Sequence, residues 1–227
     1  MVNPLKWSDV APHPSQIVCV GDVGSGKTGL MANWFDWNHS EGIQPVLVAP
    51  SHVVAQYPKW VKGASPQNIE KLGNDSSIGV DDAHLLYYAR ESMRNVSATK
   101  ALDFIGRERR HRNVSLFVNS QQTRVIDVNL LSMVSAICVK RPSLMQIQYA
   151  RPEFKSILSK ARKEFEGHEK DYFKYVYVVG NEVEGELMSN NIPSWFKEET
   201  SKSQVSTDVK KPYKWYAPIV DVVRSFG

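Results

Sequence analysis

The octapeptide Gly21-Asp22-Val23-Gly24-Ser25-Gly26-Lys27-Thr28 constrains this chain more than any other stretch. It matches G-x-x-x-x-G-K-[ST] and sits between an apolar run, Ile17 to Val20, and a stretch with helical periodicity. Glycines at 21, 24 and 26 let the backbone bend until successive N–H groups point at one centre, with the positive end of the following helix behind them. The pattern therefore predicts a phosphate cradle over Gly21, Asp22, Val23, Gly24, Ser25, Gly26, Lys27, Thr28 and Gly29. Within it, Lys27 should reach the β and γ phosphates, and Thr28 should place its hydroxyl on Mg2+. ATP and Mg2+ are the ligands such a loop implies.

Strand-like runs at Ile17–Gly21, Pro45–Ala49, Ser77–Asp81, Val114–Asn119 and Ala136–Lys140 alternate with helix-capable segments. That alternation predicts an α/β fold with a largely parallel central sheet flanked by helices. The helix after the first run should extend from Lys27 to about Trp37, with Leu30, Met31, Trp34 and Phe35 forming its apolar stripe. A second, from about Ala98 to His111, would turn Ala98, Ala101, Leu102, Phe104 and Ile105 inward and end in a cluster of arginines. Near the carboxyl end, Tyr172–Val179 and Val183–Met188 flank Gly180-Asn181, the pattern of a β-hairpin added to the sheet. These limits give a catalytic domain over residues 1–198 and a polar linker with a short docking segment over 199–227. In that segment Ile219, Val222, Val223 and Phe226 share one helical face, suited to docking on a neighbour or on the chain's own domain.

A P-loop NTPase needs a carboxylate at the end of a nearby strand for the magnesium shell and a group to activate water. Ile78-Gly79-Val80-Asp81-Asp82 offers both, although Ser77 and Gly79 interrupt the apolar run. Asp81 is assigned to Mg2+ and Asp82 to orienting or deprotonating the attacking water. His84 just beyond reads as a loop residue. A polar amide at a strand end can bond the γ phosphate or its water, which makes Gln121, after Ser115 to Asn119, the sensor candidate.

Charge adds a second constraint. The formal net charge is +4, yet residues 100–163 hold thirteen Lys and Arg against four Asp and Glu, leaving the rest of the chain net acidic. A basic side facing a polyanion would use it for phosphate contacts, and a solvated surface explains it equally well. The two cysteines, Cys19 and Cys138, each lie in a strand-like run without a companion that could complete a metal site, and read as core residues. No apolar run approaches the roughly 20 residues of a membrane span, and the amino terminus shows no leader pattern. The expected location is a cytoplasm.

Taken in order, GDVGSGKT, IGVDD and GRERRHRNVSLFVNSQQTRVID resemble the FtsK-HerA superfamily of DNA-pumping ATPases. In that family a "GR" element on a helix lies eleven residues before the glutamine of an (S/T)-Q motif, and here Arg110 stands eleven residues before Gln121. The likeness covers about residues 15–200 and is strongest to the genome-packaging ATPases of tailless icosahedral viruses with an internal membrane, including archaeal ones. It implies a RecA-like core working as a ring of five or six copies, in which an arginine of one subunit completes the ATP site of the next. Carried over by position, that arginine is Arg110, with Arg107 and Arg112 as second choices. Two positions depart from the pattern: Asp82 stands where many relatives carry Glu, and Arg109 replaces the glycine of "GR".

The implied activity is ATP-driven movement of double-stranded DNA, without sequence preference, into a preformed capsid. A capsid vertex or an internal-membrane protein would be a further partner, and the motor would sit in the host cytoplasm or at a virion vertex. The alternatives are a helicase or conjugation-type DNA ATPase on the same core, and an ATP-dependent assembly switch that moves nothing.

Overall fold

A computed structural model describes residues 2–81, 108, 110–126, 131–180, 183–197 and 200. Five helices and nine strands have both ends within these residues. They run β1 (Asn3–Pro4), α1 (Trp7–Val10), β2 (Gln16–Val20), α2 (Lys27–Ser40), β3 (Gln44–Val48), α3 (Ser51–Val54) and β4 (Lys62–Ala64). There follow β5 (Ser76–Val80), β6 (Val114–Ser120), β7 (Ala136–Val139), α4 (Leu144–Gln148), α5 (Pro152–Glu164), β8 (Tyr175–Gly180) and β9 (Glu186–Ser189).

The strands form one sheet in the order β1-β9-β8-β7-β2-β6-β5-β3-β4. From β7 through β4 every neighbour is parallel, while β8 runs antiparallel to both β7 and β9. The five expected strands are all present, each within one residue of its expected ends. They were legible because a parallel strand covered on both faces reads as a continuous apolar run, and all five residues of β2 are buried. The added hairpin is present as β8 and β9, but it starts later than expected. Tyr172–Lys174 forms a 3-10 turn, closed by Lys174 N–H donating to the Asp171 carbonyl at 2.8 Å, before the strand begins.

Each face of the sheet carries its own core. On one face, α2 lays Leu30, Met31, Trp34 and Phe35 against Ile17, Cys19 and Phe117. On the other, α5 lays Phe154, Leu158 and Ala161 against Val18, Val20, Leu116 and Val118. The alternation of odd and even strand residues between the two clusters is the two-residue period of a pleated strand. Helix α2 outruns its expected end by three residues. Asn38, fully buried, donates through Nδ2 to the Trp34 carbonyl at 2.7 Å, and Ser40 Oγ donates to the Trp37 carbonyl at 2.6 Å, so its last turn is satisfied locally.

Gly79, which interrupts the apolar character of β5, is required by this packing. A Cβ there would fall 2.4 Å from Phe35 Cζ and 2.7 Å from Met31 Sδ. Gly79→Ala is therefore expected to destabilise the fold by about 1–3 kcal/mol through overpacking. The midpoint of urea unfolding measures it, and an unchanged midpoint would contradict this account of how α2 seats on the sheet.

Helix α5 escaped the sequence reading, which registered its stretch only as charge. Its buried stripe is narrow, Phe154, Leu158 and Ala161, and Lys155, Lys160 and Lys163 are exposed around it. The fold thus places three lysines of the basic stretch on the outer face of one helix, beside the exposed Glu153 and Glu164. Among the described residues no helix is long and apolar enough to cross a membrane. The expected helix from Ala98, apart from its last residues, and the segment 199–227, apart from Thr200, lie outside the described residues.

Candidate functional site

Strand β2 is the point where the chain order reverses, since the next strands build outward on its β6 side and β7 then pairs on its other edge. In open α/β sheets ligands bind at the carboxyl ends of strands at such a point. The loop leaving β2 there is Gly21–Gly26, and it ends directly in α2. Gly24 and Gly26 have φ of 69° and 89°, in the left-handed region, and these conformations turn the loop back over the helix amino terminus.

The polar groups of this loop are arranged for an anion. Lys27 is nearly buried, at 6% exposure, and its Nζ donates to the Gly21 carbonyl at 3.1 Å and the Asp22 carbonyl at 2.9 Å. Ser25 Oγ is buried without a hydrogen-bond partner among the described residues. Such an orphaned hydroxyl costs free energy until an acceptor or donor reaches it. A polyphosphate supplies acceptor oxygens for both side chains, so the residues present fit a nucleotide. Asp22 closes the start of the loop, its Oδ1 accepting from Val23 N–H at 2.8 Å and its carbonyl accepting from Ser25 N–H at 3.2 Å. Val23 is 73% exposed, Thr28 is half-buried and Gly29 is buried, with Gly29 packed toward Ile192 and Phe196.

Asp81 follows the last residue of β5, two strands from β2, with β6 between them. Its Oδ1 accepts from Asn119 Nδ2 at 2.9 Å, and Asn119 is paired in register with Cys19 of β2. Asn119 is fully buried, with its own Oδ1 lacking a partner among the described residues. It is the first residue the sequence reading passed over: it orients the carboxylate, and a lone amide inside the apolar run of β6 was its signal. Asp82, the assigned base, lies outside the described residues, as does His84.

Gln121 follows β6 at the same end of the sheet. Its carbonyl accepts from Gln146 Nε2 at 2.7 Å, while Gln146 also completes a capping box with Ser143 at the start of α4. Gln121 to Arg124, Gly21 and Asp22 of the loop, and Ser143, Met145, Gln146 and Tyr149 of the α4 region line a cavity of about 540 Å3. The structure thus brings the loop, Asp81 and Gln121 to the carboxyl ends of three consecutive sheet positions, β2, β6 and β5.

Arg110 stands apart. It is exposed and helical, four residues before β6 begins, so it lies at the opposite end of that seven-residue strand from Gln121. At the rise of an extended strand that separation is about 20 Å. Arg112 is tied down within its own chain, donating to the Leu72 carbonyl and, at 3.4 Å, to Asn74 Oδ1. Arg107 and Arg109 lie outside the described residues.

The buried thiols of Cys19 and Cys138 face each other in register on β2 and β7, and burial pushes Cys19 up to about 12 and Cys138 well above the ordinary thiol value. Both are core residues, as expected.

No protein-family model and no curated protein matches the chain. Solved structures do match. The DNA-packaging ATPase B204 of Sulfolobus turreted icosahedral virus is 13% identical over 79% of this chain and 99% of that one, with a TM-score of 0.54. The genome packaging NTPase B204 of Sulfolobus turreted icosahedral virus 2, in complex with ATPγS, is 14% identical over 79% and 98%, with a TM-score of 0.52. The pCW3 conjugation coupling protein TcpA, with ATPγS, is 11% identical over 79% of this chain and 61% of that one, with a TM-score of 0.59. At such identities the likeness is one of fold, a mostly parallel sheet flanked by helices of the RecA-like P-loop NTPase kind.

Proposed function

We propose that this RecA-like chain is an ATPase that moves double-stranded DNA, and that its setting is the packaging of a viral genome into a preformed shell. The observation that carries the reading is the convergence of the Gly21–Thr28 loop, Asp81 and Gln121 at one end of three neighbouring strands.

In this reading the loop N–H groups and the amino end of α2 hold the phosphates, and Lys27 exchanges the Gly21 and Asp22 carbonyls for β and γ phosphate oxygens. Thr28 and Asp81 would hold Mg2+, which neutralises charge on the transferred phosphoryl group. Asn119 fixes the Asp81 carboxylate that does so. Asp82 orients the attacking water. Gln121 answers to the state of the γ phosphate, and its link to Gln146 gives that state a path to α4.

Arg110 is too far from its own loop to act there, which supports a role at the site of a neighbour in a closed ring with heterologous interfaces. Movement along DNA would then follow from interface shifts, with basic side chains tracking the phosphates. Lys155 is exposed and suited to that task; Lys140, also basic, is fully buried and is not. The similarity to a viral packaging ATPase and a conjugation coupling protein favours DNA as the polymer, and capsid-vertex or membrane proteins are the proposed docking partners.

ATPase activity measured with and without duplex DNA, alongside particle mass, tests the proposal. Stimulation by unrelated duplexes alike, falling as salt rises, in a particle of five or six subunits is expected. Turnover indifferent to DNA with nucleotide-dependent partner binding would instead favour an assembly switch, and strand separation would favour a helicase.

A further inference from the structure

Lys140 follows β7 directly, and its N–H donates to the Val20 carbonyl at 2.8 Å, which places it beside the first residue of the loop. A Cβ on Gly21 would fall 2.7 Å from Lys140 Cβ, and one on Gly26 would fall 3.3 Å from Lys140 Cε and 3.2 Å from Phe173. The lysine stem therefore runs behind two glycines of the phosphate cradle. Its Nζ donates to the Phe173 carbonyl at 2.8 Å and the Tyr175 carbonyl at 2.5 Å, joining the turn before β8 to the back of the loop.

This ammonium group is fully buried, and the titratable groups that face it are Cys19 of β2, Cys138 of β7 and Lys27 of α2. The two thiols are held neutral by their raised pKa values, and Lys27 adds a like charge. Among the described residues no carboxylate offsets it. A buried cation without a partner is costly, and two main-chain carbonyls satisfy its hydrogen bonds without neutralising its charge.

We propose that Lys140 is a second cation of the phosphate site, acting from behind Gly21 and Gly26, its charge balanced by the nucleotide phosphates held in front of them. This rests on the nucleotide reading of the loop. Lys140 touches no phosphate; it is a positioning residue that holds the Phe173–Tyr175 turn against the cradle and adds to its positive field.

The consequence is a proton linked to binding. Burial brings the Lys140 pKa down to about 8 in the free protein, and nearby phosphate charge favours the protonated form, raising it in the complex. Below pH about 7 both states are protonated and affinity is independent of pH. As pH rises through about 8 the free protein releases a proton that the complex keeps, so binding takes one up and affinity falls by as much as about tenfold per pH unit.

The test is calorimetric titration with ATPγS from pH 7.5 to 9.5, in buffers of differing ionisation enthalpy. The wild type should take up a fraction of a proton and lose affinity with rising pH. Lys140→Met should bind about tenfold more weakly at pH 7.5, with no pH slope and no uptake. If Lys140→Met fails to fold, the proton uptake of the wild type decides alone. Binding by the wild type without uptake, or an unchanged slope in Lys140→Met, overturns the role of Lys140 and leaves the nucleotide reading intact. Absence of wild-type binding at every pH overturns both.

Discussion

Lys27→Ala is expected to fold and to lose ATP hydrolysis by about a hundredfold or more, the scale set by removing one preorganised donor from a developing phosphate charge. The structure separates the two effects. Lys27 makes two hydrogen bonds, both to carbonyls of its own loop, so truncation costs the fold on the order of 1 kcal/mol. Its nearly buried aliphatic stem leaves with it and adds to that cost. Its contribution to turnover is different in kind, because phosphoryl transfer is mostly positioning and charge stabilisation and the lysine is the loop's own cation. Steady-state phosphate release against thermal unfolding measures both. Turnover near wild type in a folded variant would end the P-loop reading.

Arg110→Ala should bind nucleotide normally and hydrolyse it about a thousandfold more slowly, the effect typical of losing an arginine supplied by a neighbour. Stability should change by no more than about 0.5 kcal/mol, since the side chain is exposed. The decisive measurement is mixing. Combined with Lys27→Ala subunits in one ring, Arg110→Ala subunits keep an intact loop that can receive Arg110 from a Lys27→Ala neighbour. Random arrangement restores about a quarter of the interfaces in a heterologous ring. Activity returning on mixing supports a site shared between subunits. Absence of rescue, in rings shown by mass to contain both variants, would remove Arg110 from that role.

The residues that turned out hardest to read are the ones whose meaning depends on neighbours far away in the chain. Lys140 looked like the end of a strand-like run and one more positive charge in a basic stretch. Its chain position beside β2, and the turn that β8 needs, fold it under the loop instead. Asn119 looked like the polar end of a strand. Pairing of β6 between β2 and β5 makes it the support of Asp81. Helix α5 was hidden because a stripe of Phe154, Leu158 and Ala161 is enough to seat a helix on a sheet, leaving the remainder free to be charged. Strands β1 and β4, two and three residues long, carry too few side chains for any periodicity to register.

Motif and periodicity alone specify a glycine turn between β2 and α2, the alternation of strand and helix, the five core strands and the hairpin. Each is a local matter: glycine torsions, a helix start, and apolar runs whose length matches a buried strand. What the tertiary structure alone decided is the order of strands, with β6 inserted beside β2, and hence which loop residues share one end of the sheet. It also decided that Arg110 lies at the far end and that Lys140 is buried with no carboxylate against it among the described residues. Those outcomes follow from packing two apolar faces at once, a condition that no short window of residues contains.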